Sequence, residues 1–346
     1  MILRERDPFG IRQVVYHPRS ATFGGGIREL LRQAQLPTGP LDSQAIGGYL
    51  TGARYADRTI LADVRAVPPG HALVEASEGL AVIERPLRRT AGDLETLLLD
   101  ALRDVLADGR PTAVALSGGL DSALILGLLH AHGIRHLPVY VLATGLPGYD
   151  EREAACDTAR RRGVEVIVVE AGAQAFVDAL PEAMRYLDEP LYNLHPVGKL
   201  LLARAMAHDG IVRAITGDGV DQVLRRDRSA DYLPLCRTLF EAAGVQLSAP
   251  FLAMPVVAHL CSSPADPDKR CIRRLARHHG VSRALTEGPK RARLAPPMDL
   301  GHLLPAAPIL ALASVLGLPL PTLATDAERV QWATLLLLLR DLGVTA

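Results

Sequence analysis

The stretch LSGGLDS, residues 116–122, interrupts an apolar run with two glycines, two hydroxyls and an acid. Adjacent Gly118 and Gly119 let backbone N–H groups approach an anion without obstruction from a Cβ. The sequence after them reads as a helix, whose N-terminus would add partial positive charge. Both features suit a phosphate group. No Gly-Lys-Ser/Thr follows, and the spacing is not GxGxxG, so neither common nucleotide fingerprint applies. Asp121 would repel a phosphate directly but fits one with Mg²⁺ held between them. The plainer alternative is a tight turn with Asp121 as a helix cap.

Other reactive residue types give weaker patterns. Cys156, Cys236, Cys261 and Cys271 form no CxxC pair, which predicts neither a disulfide framework nor a zinc site and points to a reducing, cytoplasmic setting. His278 and His279 have no partner at metal-ligand spacing, so no metal is expected there. The basic run 268–280, DKRCIRRLARHHG, reads as a solvated helix face. Basic and acidic residues both number 38, so no global field favours nucleic acid or a membrane surface. The charged start MILRERDPFG lacks the apolar core of a signal peptide, and WATLLLLL (332–339) is too short to span a bilayer and reads as a buried helix.

The elements that must position the glycine loop follow from periodicity. TAVAL (112–116) reads as a buried strand, DSALILGLLHAHG as a helix, LPVYVLAT (137–144) as a second strand, DEREAACDTARRRG as a helix and VEVIVVEA (164–171) as a third strand. IVRAITGDG (211–219) supplies a fourth strand, and from about residue 230 the pattern is mainly helical. Asp93 caps a helix with Leu94, Leu98, Leu102 and Val105 on one face. Residues 1–86 are β-rich, with a short helix capped by Asp42 and a turn at Pro68–Gly70. The expectation is an α/β fold: a doubly wound parallel sheet with a helical C-terminal part over 91–346, plus a small β-rich N-terminal domain over 1–86.

With these elements in place, LSGGLDS resembles the pyrophosphate loop of the N-type ATP pyrophosphatases, whose fold is adenine-nucleotide α-hydrolase-like. Within that group the chain resembles the asparagine synthetase and β-lactam synthetase family. RDPFGIRQVVYH, YLTGARYADRTILADVRAVPPGHAL, LATGLPGYDEREAACDTARRRGVE, LDEPLYNLHPVGKLLLARAMAHDG, TGDGVDQVL and EGPKRARL match that family's segments in order. The resemblance implies that ATP is split to AMP and pyrophosphate while a carboxylate is activated as an adenylate that an amine then attacks. Asp121 and Asp221, at the ends of two strands opening on one crevice, would hold Mg²⁺ on the ATP phosphates. Leu116, Ser117, Gly118, Gly119 and Ser122 would cradle the pyrophosphate, Gly217 would admit the nucleotide, and the strand end near Thr144 would contact adenine. Lys290 would be the catalytic lysine; otherwise it belongs to a solvated basic loop with Arg291 and Arg293. Asp221 has the alternative of a surface turn acid.

Departures from the family sharpen the expectation. Asp218 stands where relatives carry Glu or Tyr; it could act as a general base toward the amine or merely stabilise a turn. Position 2 is Ile2 rather than a nucleophilic Cys, and the first half of the glutaminase-like domain has no counterpart, so this N-terminal domain is expected to be inactive in glutamine hydrolysis. Arg225–Arg228 would border an acyl-substrate entrance or form a charged loop. The leading expectation is ATP-dependent amide or lactam formation in specialised-metabolite, antibiotic or modified-peptide biosynthesis, acting on small-molecule or peptide carboxylates and amines. The alternatives are a tRNA-modifying pyrophosphatase, which the absence of a basic RNA-binding extension disfavours, and a non-catalytic nucleotide-binding subunit. An isolated half-sandwich at residues 1–86 would expose apolar surface, which predicts a homodimer or a partner protein.

Overall fold

The computed structural model describes residues 1–344 apart from 54, 78, 89, 147–149, 229–231 and 289–299. The N-terminal segment holds β1 (Ile2–Glu5), β2 (Val15–His17), β3 (Thr22–Gly24), α1 (Ile27–Ala34), α2 (Ser43–Thr51), β4 (Arg65–Ala66), β5 (His71–Ala76) and β6 (Gly79–Glu84). They form two antiparallel sheets, β1-β5-β6 and β3-β2-β4. The Asp7 carboxylate accepts from the backbone N–H groups of Phe9, Ile11 and Arg12 and so ties the RDPFG turn. Asp42 caps α2 as its residue type suggests, accepting from the Ala45 N–H at 2.9 Å.

The rest of the chain holds α3 (Leu94–Leu106), β7 (Thr112–Ala115), α4 (Leu120–Ala131), β8 (Val139–Ala143), α5 (Arg152–Arg160), β9 (Val166–Glu170), α6 (Ala173–Tyr186), α7 (His195–His208), β10 (Arg213–Ile215), α8 (Val220–Arg225), α9 (Tyr232–Ala242), β11 (Gln246–Ser248), α10 (Met254–Cys261), α11 (Arg270–His278), α12 (Arg283–Thr286), α13 (Ala306–Val315) and α14 (Asp326–Asp341). Five of the strands make one parallel sheet in the order β11-β10-β7-β8-β9. The chain therefore winds outward through β8 and β9, then returns to the other side of β7. That reversal falls between β7 and β10, where α/β sheets open their ligand crevice.

Period-two alternation distributes the sheet between two helical layers. Val114, Leu116, Val139, Val141 and Ile215 pack with α3, α4, α10 and α11. Ala113, Ala115, Tyr140 and Ala214 face α7 and α9. The doubly wound α/β architecture expected from the sequence is thus present. The structure adds β11, which the sequence reading took as part of a helical region. At three residues after Gly244 it is too short to show alternation, and only its parallel pairing with β10 makes it a strand.

The N-terminal segment has little core of its own, chiefly Val14, Val67 and Leu73. Val15, Ile27, Leu30, Ile46 and Leu61 are instead buried together with residues of α6, α13 and α14. Asp188, in the turn after α6, holds the junction: it accepts from the Ile27 N–H at 2.7 Å and from Arg28 Nη1 at 2.8 Å. Burial pushes its carboxyl pKa up, with Arg28 opposing the shift. Helices of this same chain thus cover Val15, Ile27, Leu30, Ile46 and Leu61. WATLLLLL lies inside α14, where Trp332, Leu335, Leu338 and Leu339 are buried. Among the described residues no helix is long and apolar enough to cross a membrane.

Candidate active site

The loops after β7 and β10 have the same local plan. Gly119-Leu120-Asp121 and Gly219-Val220-Asp221 each place a glycine at the N-cap, a buried apolar residue at the first helical position and an aspartate at the second. The apolar residue roots the helix in the core. The aspartate sits in the first turn, where the helix dipole favours a carboxylate. Because β7 and β10 are adjacent and in register, with Val114 opposite Ile215, the two aspartates are brought side by side.

Glycine makes this apposition possible. A Cβ on Gly217 would lie 2.6 Å from Ser122 N and 2.9 Å from the Asp121 carbonyl carbon, so the two loops touch backbone to backbone. Gly219 combines φ +95° with Leu252 carbons 2.4–2.7 Å from where a Cβ would stand. Within LSGGLDS, the Ser122 hydroxyl accepts from the Ser117 N–H at 3.1 Å and lies 2.9 Å from the Ser117 hydroxyl. The hydroxyls thus fix the loop's shape, and Gly119 caps α4 without a side chain of its own.

Lys269 joins the two aspartates. Its Nζ donates to Asp121 Oδ2 at 2.6 Å and to Asp221 Oδ2 at 3.0 Å, and its side chain is 8% exposed. The sequence reading placed this lysine on a solvated helix face; that is corrected here. Lys269 is the N-cap of α11 in a left-handed conformation, φ 56°, which turns it away from the exposed face and into the cleft. The Asp266 carbonyl accepts from its N–H, while the Asp266 carboxylate accepts from the N–H of Cys271. Burial, with Asp266 adding to it, pushes the Cys271 thiol up to about 11, which disfavours its thiolate form.

A second lysine, Lys199 on α7, donates to Asp218 Oδ2 at 2.9 Å, with both side chains largely buried. Asp218 therefore faces the cleft as half of an ion pair. His195, one helical turn before Lys199, lines the same cleft and stacks on Tyr232 at 5.3 Å. The cleft encloses about 940 Å³, within the usual range for small-ligand sites. Ser117, Gly118, Gly119, Asp121, Ser122, Gly217, Asp218 and Asp221 all line it.

Three other predicted residues stand apart. The Leu116 side chain is in the core at 3% exposure, so only its backbone can serve a ligand. Thr144 follows β8 and does not line the cleft. Lys290, with Arg291 and Arg293, lies outside the described residues. The segment leading to it is anchored at the cleft: Arg273 lines the wall and donates to the carbonyls of Thr286 and Gly288. Of the basic stretch 225–228, Arg225 lines the cleft, whereas Arg226 is spent on the carbonyls of Leu260 and Ser263.

Lys199 and Lys269 were legible in one respect that the sequence reading overlooked. Of the 38 basic residues only Lys199, Lys269 and Lys290 are lysines. In a chain that otherwise uses arginine, Lys269 places a compact ammonium between two carboxylates and Lys199 places one on Asp218. Away from the cleft, the fold gives His278 and His279 a carboxylate neighbour that sequence spacing did not offer. Glu95 of α3 reaches them, and one ligand atom from each of the three residues lies within 4.8 Å of the others.

The two carboxylates offer hard oxygen donors of the kind that bind Mg²⁺ together with nucleotide phosphates. The Lys269 ammonium between them marks a position where positive charge is stabilised, so the donor set fits such a cation provided the ammonium gives way.

A family model described as asparagine synthase matches residues 93–287. The amidase chry2 of Gibberella zeae is 28% identical over 254 residues, covering 64% of this chain and 37% of that protein. A glutamine-hydrolysing asparagine synthetase 1 of Bacillus subtilis is 24% identical over 233 residues, covering 63% of this chain and 36% of that protein. The chain thus spans little more than a third of the length of these curated relatives. Among solved structures, an NH3-dependent NAD synthetase from Campylobacter jejuni aligns over 57% of this chain and 77% of its own, at TM-score 0.38 and 15% identity. The matched family region takes in more than half of the sequence, including both aspartate loops and Lys269, and this chain accordingly belongs to the asparagine synthase family.

Proposed function

We propose that this chain forms an amide bond, or a lactam, by activating a substrate carboxylate with ATP as an acyl-adenylate, releasing pyrophosphate and then AMP. The observation that carries this reading is the apposition of the two glycine-aspartate loops at the sheet's reversal point, bridged by Lys269. The α4 N-terminus and the backbone of Ser117–Gly119 would receive the leaving pyrophosphate. Asp121 and Asp221 would hold Mg²⁺, which supplies charge neutralisation on the phosphates. Lys269, displaced from the carboxylates, would remain as a cation beside the phosphoryl oxygens.

The acyl substrate and the amine would occupy the part of the cleft walled by His195, Lys199, Asp218 and Arg225. The Lys199–Asp218 pair, rather than Asp218 alone, would meet the attacking amine, positioning its proton and balancing its charge. The substrates would be small-molecule or peptide carboxylates and amines of specialised metabolism, with the amine arriving free or already attached. Lys290 would add a further cation from the adjoining segment.

The test is release of AMP and pyrophosphate from MgATP across a panel of carboxylates paired with amines. AMP formation that requires both supports the synthetase. AMP formation that requires tRNA transfers the assignment to a nucleic-acid-modifying pyrophosphatase. ATP binding without turnover under every condition leaves a nucleotide-binding subunit.

A further inference from the structure

Helices α4 and α11 pack side by side and run in the same direction. Their starts carry Asp121 and Lys269 at the cleft; their C-caps are His132 and His279. Twelve residues of α4 at 1.5 Å each put that far end about 18 Å from the cleft. Gly127 lies in the middle of α4, where glycine is the poorest helix former after proline. A Cβ there would come 2.9 Å from Arg162 Nη2 and 3.3 Å from His279 Cβ, so the glycine gives His279 its place against α4.

At this end Glu95 Oε1 lies 2.9 Å from His279 Nε2 and 3.7 Å from His132 Nε2. The His278 ring meets the His279 ring edge-on at 5.1 Å. The His279 side chain is only 6% exposed, and among the described residues its enclosed Nε2 has Glu95 Oε1 beside it as an ion-pair contact rather than a well-formed hydrogen bond. An enclosed ring nitrogen beside a carboxylate is an arrangement that one cation can bind through both groups. The C-termini of two helices converge here, and their dipoles favour a cation. The nearby Arg162 opposes one, but it is turned onto the His279 carbonyl at 2.6 Å.

We propose that Glu95, His278 and His279 form a binding site for a first-row divalent metal ion, Zn²⁺ foremost, that clasps the start of α3 to the end of α11. Two imidazoles and one carboxylate suit Zn²⁺ and its neighbours, whereas the all-carboxylate pair in the cleft suits Mg²⁺. Small rotamer changes draw the three donors from their present 4.8 Å envelope onto one ion. His278 is exposed and provides the entry path. Water completes the coordination, with His132 in reach of Glu95. The site is independent of the reaction assigned to the cleft.

The test uses the full chain, stripped with a chelator and titrated with Zn²⁺ against a chromophoric competitor. Wild type and the double variant Asp121→Asn/Asp221→Asn should each bind one equivalent. His278→Gln, a change at an exposed position that leaves the fold intact, and Glu95→Gln should each weaken binding at least about 10-fold. Zn²⁺ should raise the unfolding temperature of wild type and not that of His278→Gln. Failure of the wild type to take up one equivalent overturns the proposal, as does undiminished binding by both His278→Gln and Glu95→Gln.

Discussion

Replacing Gly217 with alanine adds one methyl group at the place where the two glycine-aspartate loops meet. The new Cβ would stand 2.6 Å from Ser122 N, 2.9 Å from the Asp121 carbonyl carbon and 3.1 Å from Asp121 Cβ. The shortest of these is about 0.8 Å inside ordinary contact, and two of the three atoms are backbone that no rotamer change can move. The strain must therefore shift the start of α4 against β10, moving Asp121 relative to Asp221 by most of 1 Å. A misplacement of that size costs on the order of 100-fold in rate, which is about 2.7 kcal/mol in the barrier. Over-packing adds a stability loss of about 1–3 kcal/mol. Gly47→Ala serves as the control: it lies in α2 with nothing within 4 Å of the new Cβ and should stabilise by about 0.5–1 kcal/mol. The assay is substrate-dependent AMP release alongside thermal unfolding. Wild-type turnover in Gly217→Ala would refute the backbone-to-backbone contact as the device that sets the aspartate pair.

Other outcomes follow from the same geometry. Lys269→Met leaves two neighbouring carboxylates without their shared ammonium and should cost about 2 kcal/mol in denaturant unfolding. That is below the about 3–5 kcal/mol for a fully buried pair, since the carboxylates keep 19% and 27% exposure. Mg²⁺ should restore more stability to Lys269→Met than it adds to wild type, and equal responses would refute the shared cation position. Asp108 is held down to about 2 by the hydrogen bonds it accepts from Arg213. Its folded pKa lies below its ordinary 3.8, so its contribution is present above pH 3.8 and is lost as pH falls toward 2. Asp108→Asn should flatten the acid limb of the stability curve in that window, measured by unfolding at a series of pH values. The Cys271 thiol, pushed up to about 11, should resist alkylation at pH 8 in the folded protein and react once the chain is unfolded, as peptide mapping after iodoacetamide treatment would show.

The turns at LSGGLDS and TGDGVD were legible along the chain because a glycine-aspartate turn between a buried strand and a helix is a local pattern. The βαβ order was legible for the same reason: each element announces itself by its own period, and parallel strands with helical crossovers allow few topologies. Caps such as Asp42 and Asp93 act over three residues and were equally local. Strand β11 was not legible, since its three residues carry no period and gain their structure from β10.

The amino-acid sequence alone thus determined the two glycine-aspartate turns and the winding of the sheet, all of which rest on short-range spacing. Only the tertiary structure decided what stands between the aspartates. Lys269 is 148 residues from Asp121 in the chain, and its own neighbours describe an exposed basic helix. A left-handed N-cap and the packing of α11 on α4 carry it to the cleft. Helix packing likewise brings Glu95 of α3 to His278 and His279, and residues of the N-terminal segment are buried together with α6, α13 and α14. Such contacts between distant residues depend on how whole helices and strands fit against one another, which no local spacing encodes.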